Sequence, residues 1–281
     1  MNFIGHAPLQ VLEQLIDWQT LLMFAAVSIF VETLLPLHKR PFLRAGLTTD
    51  VLYLIVNSLI VRFGLLLVLA GLVVATRMFV PHVLTAAIRA QPLWLQIPEA
   101  MLIGDFCLYW AHRALHANSY LWRLHSIHHA IEELDWLAAY HMHPLDELVL
   151  SGAAFGSVCI LGFTPAAITA YLVVYAVFSV AVHLNTRLRI GPLRWLFGSP
   201  EFHHWHHSNE RDARDHNFAA IFSLWDVAFW TVFLPGHAPG VYGISEPVPP
   251  GYVDQLLHPF KASARAAEVP AAALATQDNP C

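Results

Sequence analysis

His112 and His116 stand four residues apart, a spacing that on a helix puts two imidazoles on one face with Cβ atoms about 6 Å apart. Rings placed in this way can share or neighbour one metal ion. His125, His128 and His129 extend the pattern to i, i+3, i+4, and His203, His206 and His207 repeat it much later in the chain. Together these rings outnumber the four ligands of a closed zinc site and the three of a catalytic one, so two metal ions fit better than one. A single pair of this kind is commonly a surface or structural feature. Here, however, histidines number 18 against 15 lysines and arginines, and 13 of them fall between His112 and His216. A tract that merely chelates metal would lack helical spacing and would not recur on either side of an apolar stretch.

The scaffold that must hold these rings reads as a membrane protein. The 281 residues are 57% hydrophobic and 12% charged, with a mean hydropathy of +0.51, which is not the balance of a soluble domain. A net charge of -5 offers no basic surface for a polyanion, so nucleic acid is not expected as a partner. Cys107, Cys159 and Cys281 are too dispersed to suggest disulfides or a thiolate site. The first 17 residues carry Glu13 and Asp17 but no Lys or Arg, unlike a secretory signal, and are expected to be retained. Trp18 to Leu37, Leu47 to Ala75 and Leu93 to Ala111 are candidate spans, and Arg62, Glu99 and Asp105 within them require partners in the protein. Residues 148 to 186 contain no Asp, Glu, Lys or Arg and are broken at Gly162, Thr164 and Pro165, which predicts a membrane hairpin.

The expected fold is therefore all-α: a multipass scaffold of four or five spanning segments under a cytoplasmic, histidine-rich di-metal helical cap. Four regions follow: membrane helices and a surface loop in 1–92, a catalytic region in 93–234 that includes the hairpin, a Pro/Gly-rich loop in 235–260, and a disordered tail in 261–281. Placing the basic loop 38–46 inside leaves Arg62 in the membrane and Arg77 and Arg89 outside, with the other 12 of the 15 Lys and Arg residues cytoplasmic. Both histidine-rich segments, and the C-terminus, then lie on that side.

In order and spacing these residues resemble the fatty acid hydroxylase superfamily, which includes sterol desaturases, sterol methyl oxidases and alkylglycerol monooxygenases. The resemblance runs from Asp105 and Tyr109 through His112-Arg113 and His116, His125 to His128-His129, and His203 to His206-His207, over roughly residues 100 to 230. It implies a non-haem centre of two iron ions, with zinc as an adventitious substitute, using O2 and external electrons to hydroxylate or desaturate a lipid. No catalytic residue is implied beyond the metal centre. No HExxH occurs, and Glu201 to His204 is the lone E-x-x-H, whereas a ferritin-like bundle needs that motif twice. GxGxxG, CxxCH and iron–sulfur cysteine runs are also missing, so a separate electron donor or reductase is expected as a partner, alongside membrane lipids and the lipid substrate.

Other residues take secondary places. His183, at the cytoplasmic end of the hairpin, is the ninth candidate ligand or else a satisfied core histidine. His143, turned by Pro144, could bind metal or orient a ligand. Asp105 is expected to hydrogen-bond ligand histidines or to pair with Arg62, and His204, Asp215 and Asn217 are candidate supports. Trp230 stands where the family's W-D-x-x-F-G-T segment usually has glycine. Two rival functions share the histidines, a membrane zinc-dependent hydrolase and a metal transporter.

Overall fold

The computed structural model describes residues 18–41 and 43–261, and apart from two isolated bridges there is no strand among the described residues. The expectations for the first 17 residues and for the tail beyond Lys261, Cys281 included, lie outside the described residues. The side chain of Arg62 does too.

Helix α1 (Trp18–Leu34) is followed by an irregular basic loop and then α2 (Leu47–Leu52), which passes through a π-helical turn (Tyr53–Asn57) into α3 (Ser58–Phe79). A short α4 (His82–Ala90) leads to α5 (Leu93–Ala117) and α6 (Ser119–His129). The hairpin is α7 (Pro144–Leu161) and α8 (Pro165–His183), and α9 (Pro200–His206), α10 (Leu224–Ala228) and α11 (Tyr252–Leu257) complete the order. Helices α7 and α8 are long and apolar enough to cross a membrane. At 25 residues α5 runs on the order of 37 Å, so its last turns, with His112 and His116, extend past the apolar stretch that ends at Ala111.

Chain breaks fall where local chemistry dictates them. Asn118 interrupts α5 and caps α6, its Oδ1 accepting from the backbone N–H groups of Tyr120 and Leu121 at 2.9 and 3.2 Å. Gly162, at φ 85°, ends α7, and Thr164 followed by Pro165 starts α8. Between α5 and α8 the backbones approach so closely that a Cβ on Gly104 would collide with the Tyr171 ring. The main core lies here, among α5, α7 and α8, with Leu108, Leu115, Leu150, Phe155, Val158 and Tyr171 buried. Above it, the polar ends of α5, α6, α8 and α9 meet.

Candidate metal centre

Around a helix, residue i+4 lies about 40° from residue i, and residue i+3 about 60° to the other side. Each HxxHH box therefore divides. His125 and His129 join His112, His116 and His206 in one group, while His203 and His207 join His128 and His183 in a second; within each group one ring nitrogen per residue lies within 4.8 Å of all the others. The boxes are crossed: α6 gives two rings to the first group and one to the second, and α9 with its C-cap His207 does the reverse. The groups adjoin, with the His129 and His207 rings stacked at 4.6 Å between centroids. All nine histidines named from the sequence converge in this way, His183 among them.

The rings are fixed from outside the groups. His112 Nδ1 donates to the Phe218 carbonyl at 2.7 Å, His128 Nδ1 to that of His141 at 3.1 Å, His183 Nδ1 to that of Ser179 at 2.6 Å, and His206 Nδ1 to that of His216 at 2.7 Å. A carbonyl can only accept, so in these four rings the proton sits on Nδ1 and Nε2 is a bare lone pair. His128 Nε2 and His183 Nε2 nevertheless face each other at 3.3 Å. Two lone pairs at that distance do not form a hydrogen bond; they repel unless a cation lies between them. Likewise, His206 Nε2 and His116 Nε2 are buried with no hydrogen-bond partner among the described residues. Burial, and then the neighbouring histidines, hold His125, His129, His203 and His207 well below the ordinary imidazole pKa. Neutral, lone-pair-bearing imidazoles are the form that binds metal.

Carboxylates complete the support. Asp146 Oδ2 accepts from His125 Nδ1 at 2.9 Å, and Asp215 Oδ1 from His116 Nδ1 at 3.2 Å. Asp215 is the exposed member, held at φ 60° beside a cavity of about 270 Å³ that opens onto His116, His129 and His206. Asp226 takes the backbone N–H groups of Phe218 and Ala219, both at 2.8 Å, and so fixes the carbonyl that orients His112. Burial raises its pKa to about 6.

Several secondary candidates act differently from expectation. Asp105 bonds no histidine among the described residues: its carboxylate accepts from Ile221 N, Phe222 N and Trp225 Nε1 at 2.9–3.0 Å, tying the α10 region to α5. It lies two turns before His112 on the same stripe, but the loop reaches that level of the stripe first. His143 is outside both groups, because Nδ1 caps α7 by accepting from Leu145 N and Nε2 donates to the Leu256 carbonyl. Asn217 braces the Phe202 and Phe233 backbones rather than a ring. His204 Nε2 donates to the Leu184 carbonyl, one residue past His183. Asp146 went unassigned in the sequence because no spacing rule links it to His125; its place in a His-Pro-acidic run was the signal available.

Comparison with known proteins follows the same residues. Residues 97–231 match the family described as fatty acid hydroxylase. Ornithine lipid hydroxylase of Rhizobium tropici is 30% identical over 62% of the chain and 53% of its own length. Human alkylglycerol monooxygenase is 28% identical over 53% of the chain and 33% of its length, and a very-long-chain aldehyde decarbonylase of Oryza sativa subsp. indica is 29% identical over 68% and 78%. The match thus spans about half of the first relative and a third of the second. No solved structure matches. With the three histidine boxes inside the matched region and their rings gathered at one place, the part of the chain that carries the site, residues 97–231, is the part that matches the fatty acid hydroxylase family.

Proposed function

We propose that this chain is a multipass membrane oxygenase whose nine histidines hold two iron ions and which hydroxylates, or desaturates, a lipid. The observation that carries the reading is the pair of facing lone pairs on His128 and His183, together with the division of the nine rings into groups of five and four. An all-imidazole donor set suits iron, zinc, copper or nickel. The names of the relatives, two of them a lipid hydroxylase and an alkylglycerol monooxygenase, favour the redox-active choice. When bound, iron would supply the oxidation-state change that O2 chemistry at a C–H bond requires.

The chain's own residues do the rest. His112, His116, His125, His129 and His206 would hold one ion, and His128, His183, His203 and His207 the other, with Phe218, His141, Ser179 and His216 carbonyls keeping the Nε2 atoms aimed inward. Burial of the rings other than His116 limits water at the reacting region to the cavity beside Asp215. The spanning scaffold is α1, α2–α3, α5 and the α7–α8 hairpin, with the histidine groups on the cytoplasmic face and electrons delivered by a separate donor. A zinc-dependent hydrolase and a metal transporter are not favoured, since neither draws on the oxygenase relatives. Zinc stands above ferrous iron in the Irving–Williams order, so zinc in a preparation made in air says little about the working ion. Comparative lipidomics of cells with and without the gene tests the reading: a lipid class should lose an oxidised derivative when the gene is removed, and unchanged lipid profiles would count against it.

A further inference from the structure

The two histidine groups are held by different parts of the chain. The outer partners of the first group, Phe218, Asp146, Asp215 and His216, all lie inside residues 97–231. The direct partners of the second group, His141 and Ser179, lie inside that range too, but the segments that carry this group are tied in turn to residues outside it. His128 leans on the His141 carbonyl, and the His141 side chain is bonded through Nδ1 to Asp50 and packed 4.4 Å from the Tyr53 ring. Asp50 pairs with Arg44 at 2.5 Å, and Arg44 Nε reaches Asp135 at 2.8 Å. Arg40 joins Asp135 at 3.1 Å and Glu32 at 3.3 Å.

Glu32 closes this chain of contacts. Its Oε1 accepts from the backbone N–H groups of both Trp136 and Asn185 at 2.9 Å, so one carboxylate on α1 joins the segment after α6 to the segment after α8. Asn185 is two residues beyond His183, and its side chain bonds both backbone groups of His38, at 2.9 and 2.8 Å. The ring of His38 reaches the Tyr242 hydroxyl, which also bonds His204 on α9 between His203 and His206. Arg44, Asp50 and Asp135 are buried, which is costly for charges unless they are paired and held as here.

We infer that Glu32, with Arg40, Arg44 and Asp50, positions His128, His183, His203 and His207, so that metal occupancy of the second group depends on residues outside the matched family region while the first group does not. This rests on the reading that the histidines hold metal. The residues act through the backbone and through other side chains, and they are positioning residues.

The test is metal stoichiometry of full-length, detergent-purified protein titrated anaerobically with ferrous iron. Wild type should bind two equivalents. Glu32→Ala should weaken one of them by about 10-fold, the low end of the range for a residue bonded directly to a ligand, because Glu32 acts through the backbone. Glu32→Gln should restore it, since the amide oxygen still accepts from Trp136 and Asn185. The site affected is identified by combination. Glu32→Ala with His203→Ala should keep one tight equivalent, and Glu32→Ala with His116→Ala should keep none. If Glu32→Ala does not fold, Arg40→Ala carries the same comparison. Retention of both equivalents, equal weakening of both, or failure of Glu32→Gln to rescue would overturn the inference. A wild-type chain that binds no metal would instead overturn the proposed function on which it stands.

Discussion

At the scale of single residues the site is a set of neutral imidazoles whose protonation would both expel metal and burden the fold. For His128, His203, His206 and His207 the folded-state pKa lies well below 6.5, driven first by burial. The unfolded chain therefore takes up protons first as pH falls. The stabilising contribution is complete above about 6.5 and declines as pH drops from there toward the folded values. Thermal unfolding of metal-free protein should accordingly show a lower Tm at pH 5.5 than at pH 7.5, and a flat profile would contradict the burial of these rings. Replacing Asp146 by Ala should lower metal affinity about 10- to 100-fold by freeing His125, read by competition with a chelator. The ligand candidates were legible because helical spacing is a local property. Their supports were not: Asp50, Asp146 and Asp226 act across the fold, and nothing in the chain order announces which ring or carbonyl each will meet.

At the scale of elements, apolar runs and breakers located the hairpin well. Gly162, Thr164 and Pro165 separate α7 from α8, though α7 begins earlier than expected because His143 and Pro144 open it and Asp146 and Glu147 suit its first turn. The basic loop 38–46 carried only a topology signal in the sequence; in the structure Arg40 and Arg44 turn inward to ion pairs, which hydropathy could not show. Trp230 illustrates the value of a departure from pattern. Its φ of 54° is the left-handed conformation that glycine adopts freely, and its side chain is 89% exposed. Trp230→Gly should relieve strain and raise stability by about 1 kcal/mol, seen as a Tm increase on the order of 2–4 °C. Gly104→Ala should do the opposite, costing about 1–3 kcal/mol where α5 meets Tyr171 of α8; an unchanged Tm would mean that the helices can separate there freely.

At the scale of the whole molecule, α7 and α8 in the proposed topology enter and leave the membrane so that α6 and α9 meet on one side. In a chain with Cys281 replaced by Ser, a cysteine placed at Lys261 should react with an impermeant thiol reagent only in opened cells. One placed at Arg89, in the last turn of α4, should react in intact cells. The opposite labelling would invert the topology. The central claim, however, is oxidation of a lipid by O2 through iron held on histidines, and the most direct measurement is turnover in nanodiscs carrying cellular lipid, with isotopically heavy O2 and an electron donor. Protein loaded with ferrous iron should consume O2 and yield a lipid bearing the heavy oxygen or a new double bond, while zinc-loaded protein and O2-free samples yield neither. Lipid conversion by the zinc-loaded protein without O2 would contradict the claim and point to hydrolysis.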